Sequence, residues 1–197
     1  FHNSSTGLSQ NVEKVETALN IIVMDSRICS ILNTQYESSY EKYEDITQYF
    51  DSVINAVALT SPELEGLRFY VNDSLAGIRQ NFRPLAEAQA LPGFSEIHER
   101  YSPQWFYEDG EFRVFQKVYS PAFDGSYALL EARVPYDRIV DSRSFENLPF
   151  RLTLRGEQVS ASPYLPPEGR LSRSVAVMNG VGLLEARMRE IYLAKDL

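Results

Sequence analysis

The residues able to carry chemistry are few and widely spaced in this sequence. Two histidines, His2 and His98, and a single cysteine, Cys29, occur among 197 residues. No spacing of His, Cys, Asp and Glu resembles a zinc or iron site, and no Gly-x-Ser-x-Gly, P-loop or dinucleotide-binding glycine pattern is present. The adjacent carboxylates Glu108 and Asp109 are expected to shape a turn rather than share a proton. The sequence therefore predicts no catalytic residue, no metal site and no cofactor, and we expect that the chain is not an enzyme.

Charge and hydropathy exclude several classes of partner. The net charge of -8 argues against a nucleic-acid or anionic-membrane surface, since both need a concentrated positive field. No window approaches the ~20 consecutive apolar residues of a membrane span. The lone Cys29 cannot form an internal disulfide, and its place in an apolar stripe favours a buried hydrophobe over a reactive thiol. Residues 1–8 are polar, and we expect a disordered lead-in or a cloning remnant there.

A long amphipathic helix is predicted between Val12 and Val57. Apolar or aromatic side chains recur at heptad spacing: Val15, Ile22, Cys29, Tyr36, Tyr43, Phe50 and Val57. One helix, or two nearly in line, would reach ~70 Å at a rise of about 1.5 Å per residue. Polar residues at Asn33, Thr34 and 38–39 predict a bend or break between residues 33 and 40.

The tyrosines of this stripe admit two interpretations. Tyr36, Tyr40 and Tyr43 either belong to a core whose hydroxyl groups reach its rim, or form the wall of a ligand pocket. The acidic residues between them, among them Glu37 and Glu41, are typical of a solvated helix face.

Period-two patterns after the helix predict an antiparallel sheet. Strands are expected at 67–71, 105–107, 112–119 and 127–134, with a turn at Asp109-Gly110. Residues 75–104 are broken by prolines and are expected to hold short helical turns at 84–91 and 94–100. The predicted fold class is α+β: a long N-terminal helix packed on an antiparallel, PAS-like sheet.

A small second β module is expected at residues 149–197. Strands are predicted at 150–154, 158–161, 174–178 and 181–187, with hairpin turns at Arg155-Gly156 and Asn179-Gly180. This is too little chain for an independent core. The module should therefore lean on a larger one formed by residues 9–148.

The order of these parts resembles a known family. The segments "VEKVETALNIIVMDSRICSILN", "YESSYEKYEDITQYFDSVINAV" and "SPELEGLRFYVNDS" look like the extracytoplasmic sensor region of YesM-type bacterial sensor histidine kinases. The segments "WFYEDGEFRVFQKVYS" and "SYALLEARVPYDRIV" are similar to the later strands of a Cache module, which is an extracellular PAS-like domain. The tail "FRLTLRGEQVSAS…SVAVMNGVGLLEARM" looks like a reduced membrane-proximal module.

The resemblance implies a place in a signalling protein. The piece would lie on the extracytoplasmic side of the bacterial cell membrane, between two membrane-spanning segments and ahead of a cytoplasmic kinase. It would dimerise through the first helix and bind a ligand between the sheet and the irregular segment. Family members are often associated with carbohydrate use, so a sugar or another small solute is the first expected ligand.

One departure from the family pattern narrows the range of expected ligands. Cache domains that bind amino acids resemble one another in an arginine two residues before a tryptophan-tyrosine pair, with an aspartate further on. Here Trp105 follows Pro103-Gln104 and precedes Phe106-Tyr107. The motif is not met, which argues against amino-acid sensing.

The leading hypothesis is a ligand-sensing input domain of a two-component histidine kinase. In it, aromatic rings stack on the ligand and charged groups orient it. The expected lining is Tyr70, Arg100, Trp105, Tyr107, Arg113 and Asp124. Two alternatives stay open: an interaction module that docks a solute-binding protein without a ligand of its own, and a structural dimeric spacer.

Overall fold

The chain folds as an α+β protein, as the sequence predicts. The structure is a computed structural model that describes residues 2–91, 93–99, 101–122, 125, 127–141, 150–155, 157–161, 173–176 and 184–188. Four α-helices and a π-helical turn come first in the chain. They are α1 (His2–Val23), α2 (Ser26–Asn33), α3 (Ser39–Glu44), the π-helical turn Asp45–Phe50, and α4 (Asp51–Thr60). Among the described residues, no helix has the length and apolar character needed to cross a membrane.

The helical region begins earlier and bends more often than expected. The break predicted between residues 33 and 40 is confirmed, because residues 34–38 are not helical. A second break at Met24 and Asp25 was not predicted. Residues 2–8, expected as a disordered lead-in, belong to α1.

The helices do not continue in line, so that expectation is wrong. The Tyr49 hydroxyl donates to Asp25 Oδ2 at 2.8 Å, and Lys14 lies 3.4 Å from Glu63. These contacts join the end of α1 to the π-helical turn, and the middle of α1 to the residues after α4. The chain therefore runs along α1, turns, and returns beside it, because two apolar faces bury more surface against each other than either does alone.

A five-stranded sheet packs against this helical layer. Its strands are β1 (Gly66–Val71), β2 (Phe82–Pro84), β3 (Gln104–Glu108), β4 (Glu111–Tyr119) and β5 (Tyr127–Pro135). The spatial order is β2-β1-β5-β4-β3. The predicted β3-β4-β5 meander is confirmed, and Asp109 (φ 52°) and Gly110 (φ 86°) form its tight turn.

Strand β2 makes the sheet mixed rather than purely antiparallel. It pairs in parallel with β1, placing Phe69 beside Phe82. Only three residues long and ending in Pro84, it carries too short a pattern to be recognised in the sequence. The expected helical turns follow it, as a 3-10 helix at Leu85–Ala90 and as α5 (Phe94–Glu99).

The two faces of the sheet are covered by different parts of the chain. On the helix face, Trp105, Phe112, Val114 and Leu130 join the core formed with α1, α2 and the π-helical turn. On the opposite face, called the outer face here, a smaller cluster fills the space beneath α5 and the 3-10 helix. Its buried members are Tyr70, Ala88, Ile97, Phe115 and Leu129.

A short helix and a second sheet follow β5. Helix α6 (Tyr136–Ile139) precedes β6 (Phe150–Leu154), β7 (Glu157–Ala161), β8 (Arg173–Ala176) and β9 (Leu184–Met188). The order is β7-β6-β9-β8, and each neighbouring pair is antiparallel. The predicted pairings of β6 with β7 and of β8 with β9 are confirmed, whereas Gly156 and the predicted Asn179-Gly180 turn lie outside the described residues. Leu152 and Leu154 are buried in the main core, so β6 leans on the first module as expected.

Candidate functional site

A cavity of about 310 Å³ lies between the outer face of the main sheet and the β6–β7 hairpin. Its walls combine aromatic, aliphatic and charged side chains. The lining residues are Phe106, Tyr107, Glu108, Arg113 and Phe115 from the sheet, and Leu154, Arg155, Gln158 and Val159 from the hairpin. The volume is at the lower end of the range for small-molecule sites, and the mixture of apolar walls with a few polar groups is typical of them.

Two of the lining residues, Glu108 and Arg113, belong to an ion-pair network centred on a buried carboxylate. Glu131 is 0% exposed, and its two oxygens accept hydrogen bonds from Arg113 and from the Tyr70 hydroxyl, each at 2.8 Å. Arg68 lies 3.4 Å from Glu131, and Arg113 also donates to Glu108 at 2.7 Å. A charge held out of water is tolerated only with such partners. Glu131 therefore fixes the orientation of Arg113 at the cavity wall.

The pKa values of the network report the same arrangement. Burial is the main cause of the raised pKa of Tyr70; Arg68 opposes the shift, and the hydrogen bond to Glu131 adds to it. For Arg113, burial lowers the pKa, but the neighbouring carboxylates of Glu108 and Glu131 outweigh it and raise the pKa. Tyr70 thus stays a neutral donor and Arg113 a fixed cation at neutral pH.

Arg155 closes the hairpin end of the cavity. Its guanidinium donates to the Trp105 carbonyl at 2.8 Å and to Gln104 Oε1 at 3.1 Å, and it pairs with Glu96. The same group lies over the Phe106 ring, 4.1 Å from its centroid. One side chain of the second module is thereby bonded to β3 and α5 of the first.

The positive groups of the described lining are already neutralised. Arg113 is paired with Glu108 and Glu131, and Arg155 is paired with Glu96. An anionic ligand would have to compete with these carboxylates for its hydrogen bonds. The electrostatics therefore favour an uncharged ligand that offers both hydroxyl groups and an apolar face.

The structure distributes the predicted lining residues over both faces of the sheet. Arg113 and Tyr107 line the cavity, but the Tyr107 ring packs on Phe112, with centroids 5.0 Å apart. Trp105 is buried on the helix face, and Tyr70 lies in the outer-face cluster beneath α5. Arg100 and Asp124 lie outside the described residues. The assignment of these six side chains to a ligand site stays a prediction.

Sequence reasoning missed Phe106, Glu108, Arg155 and Gln158. The register of the β3–β4 hairpin places Phe106 directly opposite Arg113. Gly93 (φ +65°) approaches Phe106 so closely that an added Cβ would lie 2.6 Å from the ring. Position 93 therefore needs glycine both for its backbone conformation and for the space beside Phe106.

Other residues with chemical potential are held in structural contacts. Cys29 is buried, its thiol donates to the Val23 carbonyl at 3.1 Å, and burial raises its pKa. Such a thiol is poorly reactive, because the thiolate is the nucleophile. Within the described ranges, no group of His, Cys, Asp and Glu side chains has the arrangement of a metal site.

Comparison with known proteins adds no family assignment. No protein-family model matches the chain, and no curated protein sequence matches it. The function is therefore argued from the geometry of the cavity and of the elements around it.

Proposed function

We propose that this chain is the extracytoplasmic input domain of a bacterial two-component sensor histidine kinase, and that it senses a small uncharged solute such as a sugar. In this proposal the chain performs no catalysis itself, and a kinase domain elsewhere in the full protein responds to binding. A second copy pairs through α1 in the full protein, where Ile21 is 51% exposed.

The cavity is the observation that carries this proposal. It is bounded by the main sheet and the β6–β7 hairpin. Its wall includes the aromatic ring of Phe106 and the polar groups of Glu108, Arg113 and Gln158. Binding sites for such ligands commonly place apolar ligand carbons against aromatic side chains and let a few polar groups bond the hydroxyls. Because Arg113 and Arg155 are already paired with glutamates, a neutral polyol can bind beside them without displacing an ion pair, whereas an acid would have to displace one.

Strand β3 provides a route from the cavity to α1. Side chains of a strand point alternately to opposite faces, so Phe106 faces the cavity while Trp105 faces the helices. The Trp105 indole donates to Glu16 Oε1 on α1 at 3.0 Å. If α1 can pack on the sheet in two ways, a ligand that prefers one position of β3 favours one of these packings. The free energy by which it shifts their populations cannot exceed the difference between its binding free energies for the two. In this proposal, helix α1 alone, ~33 Å long at about 1.5 Å per residue, carries the displacement that the sequence assigns to a helix of ~70 Å.

A ligand screen with a cavity-filling variant tests the proposal. Thermal shift and titration calorimetry would compare monosaccharides, disaccharides, amino acids and organic acids. We expect an uncharged sugar to raise the melting temperature of the wild type, and Gln158→Trp to abolish that shift by filling the cavity. Gln158 is exposed at the hairpin, so the substitution removes no buried contact.

The matched control is Gln80→Trp, the same change at an exposed site between β1 and β2. It should leave the ligand-induced shift intact. A screen in which no uncharged solute stabilises the protein, or a shift that survives Gln158→Trp, would contradict binding in this cavity.

A second function is favoured by a different surface. Tyr40 and Tyr43 on α3 are 73% and 65% exposed, beside Glu37, Glu41 and Glu44. Exposed tyrosines are enriched where proteins meet. As the alternative, this face docks a solute-binding protein. Tyr40→Ala with Tyr43→Ala would then weaken capture of that protein and leave solute-induced thermal shifts unchanged.

A further inference from the structure

The outer face of the sheet carries a second group of exposed aromatic and charged residues, none of which lines the cavity. At the end of β4, Lys117 and Tyr119 lie beside Tyr127 of β5, and His98 and Tyr101 lie above them. These five residues are called the Lys117 cluster. The buried side chains of Phe115, Ile97 and Leu129 belong to the apolar packing between this cluster and the cavity.

The Lys117 ammonium is held by rings and a carbonyl rather than by a carboxylate. Its Nζ lies 4.6 Å from the Tyr127 ring centroid and 5.1 Å from that of Tyr101, and it donates to the His98 carbonyl at 3.3 Å. None of the ion pairs found among the described residues includes Lys117. The arginines of the same sheet face, Arg68, Arg113 and Arg133, are all paired with glutamates.

The aromatic rings of the cluster remain accessible. Tyr101 is 59% exposed and Tyr119 is 37% exposed, and their ring centroids are 5.8 Å apart in an edge-to-face arrangement. Tyr127 and His98 form a second such pair at 5.2 Å. Contiguous exposed apolar surface is a feature of binding sites.

We propose that the Lys117 cluster binds a small organic anion consisting of a ring that carries one carboxylate. The carboxylate pairs with the ammonium, which has three N–H donors and uses only one on the His98 carbonyl. The ring packs against the exposed faces of Tyr101 and Tyr119. A single ammonium without an arginine fork suits a monoanion rather than a phosphate dianion.

This site is independent of the proposed sensing of an uncharged solute, since it shares no residue with the cavity. It also takes a ligand of opposite character. Among the described residues, no carboxylate is paired with the ammonium of Lys117, whereas the cavity arginines are neutralised. The two sites are therefore separable by substitution as well as by ligand.

Four probes dissect the recognition, and the three that carry a ring are of similar size. Benzoate and cyclohexanecarboxylate carry both a ring and a charge, benzamide carries the ring without the charge, and acetate carries the charge without the ring. Ligand-observed saturation-transfer NMR on the whole chain is expected to give signals for the first two at millimolar concentration. The two control probes should give signals at least tenfold weaker.

Lys117→Met removes the charge and keeps an unbranched side chain of similar length. We expect this variant to lose at least tenfold in benzoate affinity, and Lys117→Arg to retain binding. Lys14→Met, which removes a lysine on α1 paired with Glu63, should bind benzoate as the wild type does. If Lys117→Met does not fold, Tyr101→Ala at the exposed ring replaces it and should show the same loss.

Equal binding of benzoate and benzamide would overturn the proposal. So would benzoate binding that is unchanged in Lys117→Met or Tyr101→Ala. Sugar-induced stabilisation measured on the same variants is expected to be unaltered. Loss of benzoate binding alone thus reports on this cluster, whereas loss of sugar binding alone reports on the cavity.

Discussion

Glu131 is the residue on which the outer face of the sheet most depends. It is 0% exposed, and its partners Tyr70, Arg68 and Arg113 come from two neighbouring strands. We expect Glu131→Gln to lower the free energy of unfolding by about 2–3 kcal/mol, because it preserves shape but leaves buried donors without an anionic acceptor. Urea denaturation at pH 7, followed by circular dichroism, measures the loss.

The matched control for this prediction is Glu111→Gln. Glu111 pairs with Arg133 at 3.0 Å, but the Arg133 side chain is 42% exposed, so solvent screens the pair. We expect that change to cost less than about 1 kcal/mol. Similar losses in the two variants would show that burial does not set the strength of the Glu131 network.

The lining residues around Arg113 show how far sequence could locate the site. The sequence predicts Arg113 as a charged group that orients the ligand, and Arg113 lines the cavity together with Phe115. The turn at Asp109-Gly110 fixes a register in which Glu108 pairs with Glu111 and Phe106 with Arg113. Paired residues of neighbouring strands share a face of the sheet, so this register places Phe106, and not Trp105, on the same face as Arg113. The alternation of side chains along β3 would therefore have predicted Phe106 as the lining residue. Arg155 was out of reach, because its contact with Trp105 spans 50 positions in the chain.

At the scale of elements, Asp25 decides where the first helix ends and the second begins. Its Oδ1 accepts hydrogen bonds from the backbone N–H groups of Arg27 and Ile28, each at 2.9 Å, and its Oδ2 accepts from the Tyr49 hydroxyl. Asp25→Ala removes both an N-cap and a bond between the two helical runs. We expect it to cost about 2 kcal/mol of unfolding free energy in urea denaturation.

Ser38→Ala is the comparison for this cap. Ser38 caps α3 through a single 3.4 Å hydrogen bond to the Glu41 N–H at an exposed position. We expect a loss of no more than about 1 kcal/mol from this change. A loss at Asp25 no larger than the loss at Ser38 would mean that the Tyr49 contact adds nothing.

The break at Asp25 was missed because two patterns overlap there. The apolar stripe passes through Ile22 and Cys29 without interruption, and both side chains are buried. A heptad stripe cannot distinguish a straight helix from one that is reset by a cap, since either keeps the same residues on the core side. The cap itself was visible as Asp25-Ser26 ahead of an apolar run.

For the molecule as a whole, local pattern predicted the elements better than their arrangement. The strands of the meander, the short turns at 85–90 and 94–99, and the two hairpins after residue 150 are each set by nearby residues. The return of α4 beside α1 and the parallel pairing of β2 with β1 depend on contacts between distant parts of the chain. No local period encodes such contacts.

The hydrogen bond from Trp105 of β3 to Glu16 of α1, which joins the sheet to the helical layer, makes the stability of the fold depend on pH. Burial raises the pKa of Glu16 above its ordinary value of 4.5, the Trp105 hydrogen bond opposes this, and Glu13 adds to it. A carboxyl whose pKa is higher in the folded state stabilises the fold fully below its unfolded pKa. That contribution is lost as the pH rises through the folded pKa. At pH 7 Glu16 is charged, and keeping this charge partly buried lowers the free energy of unfolding.

Glu16→Gln isolates this cost, because the amide oxygen still accepts the hydrogen bond from the Trp105 indole while the charge is gone. We expect the variant to unfold at a higher urea concentration than the wild type at pH 7, and the advantage to disappear below about pH 4. Glu13→Gln, at an exposed neighbouring position on α1, should change the midpoint much less at either pH. If Glu16→Gln is instead less stable at pH 7, the ionised carboxylate strengthens its bond to Trp105 by more than its burial costs, and the helix and sheet are joined chiefly by that charge-assisted bond.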